Sequence, residues 1–135
     1  MKRRTLFVAA CSITLLVAGA AHAQQSTAIQ TGSIPNLTNL REVDDDDRMI
    51  QPWNISADRA EDMDLYSPTG QKVAEVEEVL EDSSGQITAL VVEVDVPGAD
   101  DREVIVALGQ MNLQGERLTT NLTADQLRSM PEWKQ

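Results

Sequence analysis

Cysteine and histidine are almost absent. The 135-residue chain has one of each, Cys11 and His22. Both fall in a leading stretch that reads as removable, and the rest of the chain has neither. That remainder offers no thiol nucleophile, no imidazole for acid–base work, no disulfide, and no zinc or haem site built on Cys or His. Aromatic residues make up 3% of the chain, too few for rows of stacking platforms for sugars or nucleobases. Basic residues are scarce as well: 11 Lys plus Arg stand against 22 Asp plus Glu, a net charge of −11. Without Lys2, Arg3 and Arg4 the balance is 8 against 22, or −14. A surface of that sign repels nucleic-acid phosphates. The length allows one ordinary domain.

A run of apolar residues long enough to span a bilayer is also lacking. Leu6 to Ala20 is apolar apart from Ser12 and Thr14, about 15 residues, where a span takes roughly 20. Lys2, Arg3 and Arg4 precede it and Ala21-His22-Ala23 follows. This is the three-part layout of an export signal, residues 1–23, with cleavage before Gln24. The expected mature protein is exported and periplasmic, with no transmembrane span. Two alternatives stand beside this: an uncleaved signal acting as an anchor, and lipidation at Cys11, since Val8-Ala9-Ala10-Cys11 looks like a lipobox. The apolar stretch ahead of Cys11 is short for the second.

Residues 24–54 read as a disordered acidic linker. Gln, Ser, Thr, Asn and Gly dominate its first half, and Ile29, Ile34, Leu37, Leu40 and Val43 are scattered without a period. Asp44-Asp45-Asp46-Asp47 is a charge run of the solvated kind. It lacks the alternating ligands and central Gly of a calcium loop. Met49, Ile50 and Trp53 are placed to pin the linker's end onto a domain.

Residues 55–135 alternate short apolar runs with turn signals. Met63 to Tyr66 is a short strand closed by Ser67-Pro68-Thr69-Gly70. Lys72 to Leu80 has apolar residues at three and four, a helix period, but they are mostly Val. We read it as a strand with a bulge, because one inserted residue shifts a period of two. Gln86 to Val96 is a long strand, paired with it across Asp82-Ser83-Ser84-Gly85. Pro97 to Asp101 turns the chain into a strand over Glu103 to Leu108. Met111/Leu113 and Leu118/Thr120/Leu122 alternate on either side of Gly115. Thr123-Ala124-Asp125-Gln126 is a capping box that opens a helix running to about Met130, stopped by Pro131. The expected fold is mainly β: a small antiparallel barrel of about six strands with a short C-terminal helix. Leu127, Met130 and Trp133 should dock that helix as a lid over the open end. The alternative is that Leu127 and Trp133 form a docking surface for a partner.

The order of Ser56-Ala57, Met63-Asp64-Leu65-Tyr66, Gly70, Val73 to Leu80, Gly85, Ile87 to Val94, Val104 to Leu108, and Leu127, Met130-Pro131 and Trp133 resembles the PRC-barrel family. The family's usual small Gly and its Asp fall at Ala74 and Glu78, and Pro97 to Asp101 replaces its Gly-rich loop. The resemblance implies a small barrel that serves as an interaction or assembly module, as in a photosynthetic reaction-centre subunit and a ribosome-maturation factor. It implies no shared catalytic set and no cofactor. The function expected is a non-enzymatic periplasmic module with a protein partner in the cell envelope. Nucleic acid is not among its partners, and self-association into a homo-oligomer is left open. The alternative is a divalent-cation-binding or envelope-stress protein. Its weak calcium or magnesium ligands would be Asp95, Asp100, Asp101 and Glu103, all oxygen donors.

Overall fold

The computed structural model describes residues 39–134. The export signal, Cys11, His22, the cleavage point and the first half of the expected linker lie outside the described residues.

Nine strands and two short α-helices follow in order among the described residues, with a 3-10 turn at Leu108–Gln110. They are β1 (Arg41–Glu42), β2 (Met49–Ile50), β3 (Ile55–Ser56), α1 (Ala57–Glu61), β4 (Asp64–Tyr66), β5 (Lys72–Glu81), β6 (Ile87–Val94), β7 (Glu103–Ala107), β8 (Met111–Gln114), β9 (Arg117–Thr120) and α2 (Ala124–Arg128). Seven of the strands form one sheet in the order β7-β6-β5-β4-β9-β8, with β1 added beside β5. The sheet curls into a half-barrel, and the mainly β expectation holds. Its pairs are antiparallel except β4 with β9, which run parallel, Leu65 opposite Leu118.

β5 carries the curvature. Val76 faces Val92 but Glu78 faces Val91, so Glu77 is the inserted residue of a bulge. A second shift follows at Leu80 and Glu81, where the extra residue, Thr88, belongs to β6. Each bulge bends the strand and increases its twist. It also explains the helix-like spacing of the valines. Val76 and Val79 both reach the concave core because the extra residue restores their facing, and Val73 joins them where the register against β4 shifts past it. One edge of β5 serves two partners in turn: β4 beside Lys72 to Glu75, then β1 beside Leu80 and Glu81.

The concave side is filled by Leu65, Leu90, Val92, Val104, Leu118 and Leu127, all with no exposed surface. α2 is short, and its capping box forms as the sequence indicates. Thr123 N–H donates to the Gln126 side chain at 2.8 Å, and Gln126 N–H donates to Thr123 Oγ1 at 3.2 Å. The helix ends at Arg128 rather than Met130, and Ser129 closes it. A five-residue helix has no stability of its own, so packing holds it: Leu127 is fully buried and Met130 packs beside it in the main core.

The second half of the expected linker is a correction. Residues 41–54 are part of the folded body. Val43 and Ile50 lie in the main core. β1 pairs with β5, and β2 with β3. The Asp44 to Asp47 run is a turn, with Arg48 N–H bonded to the Asp45 carbonyl at 2.9 Å. The anchoring expected of Ile50 is real and deeper than a pin. α1 was not anticipated. It is capped by Ser56, whose hydroxyl accepts from Arg59 N–H.

Candidate functional site

Four of the candidate residues come together. Asp100, Asp101, Glu103 and Trp133 line an open cleft of about 430 Å³, joined by Arg102 and Glu132. Asp95 lies outside it, exposed just beyond β6. The cleft's floor is the loop between β6 and β7. Gly98 has φ +83°, and Asp100 and Asp101 follow at +54° and +52°. Two successive left-handed Asp residues turn the chain sharply and aim their carboxylates outward. Among the described residues, no three acidic side chains converge closely enough to hold a metal ion.

Trp133 and Leu127 separate. Leu127 sits within the main core, so as a surface contact for a partner it is corrected: no part of it reaches solvent. Trp133 crosses to the convex face. There, with Leu40, it covers a second apolar cluster of Leu80, Ala89, Val91 and Ile105. The expected lid is therefore a clasp. Leu127 and Met130 close the concave side, and the tail beyond Pro131 reaches round β7 to the convex side. Trp133 N–H donates to the Glu103 carbonyl at 3.0 Å and Ile105 N–H to the Pro131 carbonyl at 2.9 Å.

The convex face carries charge that sequence reasoning missed. Glu75 pairs with Glu93 in register, and Glu93 with Glu103, so three glutamates stand abreast on adjacent strands. Directly opposed like charges destabilise a sheet. Glu77 lies beside them. Loss of solvation raises its carboxyl above the usual range first, and the neighbouring Glu93, Glu75 and Glu103 add to the rise. The only visible signal was the polar alternation of Glu75 and Glu93; the register across two bulges was needed to align them. Lys72 offsets one end, bonded to Asp64 at 2.7 Å and Glu75 at 2.9 Å.

Two other surfaces border the N-terminal segment. Asp44 to Asp47 and Asp58 wall an open acidic hollow. Nearby, Glu61 is raised by its burial first, then by Asp46, Asp58 and Asp62, against a backbone hydrogen bond at Val79 that lowers it. Opposite, Pro52, Trp53, Leu108, Met111 and Leu113 line a shallow, half-apolar hollow beside β8.

A family model described as PRC-barrel domain matches residues 54–127. The matched span begins just before β3 and ends inside α2. No match was found among curated proteins.

Proposed function

The chain belongs to the PRC-barrel family, and from that membership we propose that it works as a non-enzymatic interaction module in the periplasm, after removal of its export signal. The family is generally a non-catalytic module. The observation that carries the reading is the filled interior. Leu65, Leu90, Val92, Val104 and Leu118 occupy the concave side completely. A packed core leaves recognition to the outer surface, as interaction modules require. The cleft of Asp100, Asp101, Glu103 and Glu132 beside Trp133 offers acidic groups around an aromatic ring. That chemistry suits a partner presenting Lys or Arg, which carboxylates attract and an indole face stacks against.

The test is capture of partners from native envelope extract with the full chain and with Glu103→Lys and Glu132→Lys variants. Retention of a discrete partner by the parent chain, lost in both variants while they stay folded, supports the reading. Equal retention by all three removes the cleft from it, and no discrete partner removes the reading itself.

A further inference from the structure

The two ends of the curled sheet are finished differently. At one end β7 is covered by the chain's own tail, where Val104 bridges to Glu132 and the Ile105 and Trp133 amides bond across. At the other end β8 has β9 on one side and, among the described residues, no strand on the other. The turn from β8 to β9 is short, with Gln114 opposite Arg117 at its base. That pair exchanges backbone bonds, so Leu113 presents its N–H and C=O to the open side. Met111 N–H is taken by the Leu108 carbonyl, which leaves the Met111 carbonyl facing out.

Exposed edges are ordinarily guarded by charge, Pro or a covering segment. β8 is Met111-Asn112-Leu113-Gln114, with neither charge nor Pro, and its shortness is its one guard. It lies within Val104 to Gly115, a run without Asp, Glu, Lys or Arg in a chain that is 24% charged. The hollow beside it, about 420 Å³, is lined by Pro52 and Trp53 with residues from Leu108 to Leu113, none of them charged. The hollows at Asp100 to Glu103 and at Asp44 to Asp47 are both acidic. A chain of net charge −11 repels its own copies wherever carboxylates face carboxylates. At the β8 edge two copies meet without opposing charge.

We propose that β8 is a self-association edge, where two copies of the chain pair antiparallel about a two-fold axis at Asn112. The strand's own pattern selects that register. Met111 and Leu113 pack against the main core, while Asn112 and Gln114 are exposed. Residues directly opposite in an antiparallel pair share a face. Centring on Asn112 sets Met111 against Leu113 of the other copy, Asn112 against Asn112, and Gln110 against Gln114. Apolar residues then meet apolar residues and amides meet amides. A slide of one residue sets Met111 against an amide, and a slide of two sets Met111 or Leu113 against a glycine. In the favoured register Leu113 N–H of each copy donates to the Met111 carbonyl of the other, and the two uncharged hollows flank the joint. The contact is isologous and closes at two copies. It is small, so the pairing is weak and reversible. It does not depend on the acidic cleft, which lies at the β7 end of the sheet.

Sedimentation of the full chain, as it accumulates in cells, should show a reversible doubling of mass across roughly 1–500 µM. The Asn112 side chain is exposed, so Asn112→Lys and Asn112→Asp spare the fold. Each sets like charge against like at the axis and should stay monomeric where the parent pairs. An equimolar mixture of the two should pair again, because Lys then faces Asp. A parent that is monomeric throughout, variants that pair as the parent does, or a mixture that fails to recover overturns the proposal. Hydrogen exchange at the Leu113 amide of the parent reads the same event without a substitution, and should slow as concentration rises. Strong protection at every concentration means that another segment of the same chain covers the edge. No protection at any concentration leaves the edge to a different protein, and either result overturns the pairing of copies.

Discussion

Arg48 Nη1 lies 3.0 Å from Glu81 Oε2, joining a segment that looked like linker to the end of the longest strand. Glu81 is nearly buried, 8% exposed at its side chain, and its other oxygen accepts from Arg41 Nε at 2.6 Å. Arg48 further donates to the Gly85 carbonyl at 2.6 Å, bracing the β5–β6 turn. Glu81→Ala strands two guanidinium groups that still reach water, Arg48 being 38% exposed and Arg41 66%. That partial exposure discounts the loss to about 1–2 kcal/mol. A smaller loss for Glu81→Gln, which keeps an acceptor, should follow in the same urea melts.

Ile50 gives a sharper view of the same segment. It is fully buried in the main core. Ile50→Ala should cost about 2–5 kcal/mol, the range for a large aliphatic side chain deleted from a core. An unchanged urea midpoint would mean that residues 41–54 are not part of the folded body.

The cap and the core contact of α2 should separate by size. Thr123→Ala removes the hydroxyl that accepts from Gln126 N–H and should cost about 0.5–2 kcal/mol. Leu127→Ala empties a fully buried site and should cost about 2–5 kcal/mol. Thermal or urea melts of the two variants test the order. A Leu127→Ala chain as stable as the parent would refute the packing role.

Stability should peak in mild acid. Glu77 and Glu61 sit above the ordinary 4.5. The folded chain binds protons there more tightly than the unfolded one. Their contribution is therefore full below that value and lost as pH rises through their folded values. Asp64, held low by the Lys72 ammonium and then the Tyr66 hydroxyl, and Asp82, held low by Ser84 and the Gln86 amide, sit below the ordinary 3.8. Their contribution is present above that value and lost as pH falls. Urea midpoints should climb from neutral pH toward about 5 and collapse below about 3.5. A midpoint that climbs steadily from 5 to 8 contradicts the sign.

Much of this architecture was legible where local chemistry dictates it. The β5–β6 hairpin follows from Asp82-Ser83-Ser84-Gly85 between two Val-rich runs. The bulge follows from valines spaced three apart in a β-branched segment, and α2 from Thr123 and Gln126. The remainder depends on tertiary partners. Val43 and Ile50 have no period because each enters the core from a two-residue strand or a turn, too short to show one. α1 is a single helical turn or so, for which only Ser56 and Asp58 gave a sign. Turn signals suggest neighbours in sequence, so the parallel pairing of β4 with β9 left no local mark. The acidic cleft was half visible: Asp100, Asp101 and Glu103 are adjacent in sequence, but Glu132 and the glutamate row reach it only through the fold. Leu127 and Trp133, six residues apart in the chain, end on opposite sides of the sheet because Pro131 releases the chain to run along β7.

The parallel β4–β9 pair also sets an order of assembly. The β5–β6 hairpin closes a turn of a few residues and can form at once, whereas Leu65 meets Leu118 only after all of β5 to β8 has been laid down between them. Closing so long a loop costs chain entropy before any contact rewards it. The hairpin should therefore nucleate folding, and the seam between β4 and β9 should close last. Substitutions in that seam would then speed unfolding while leaving the folding rate nearly untouched.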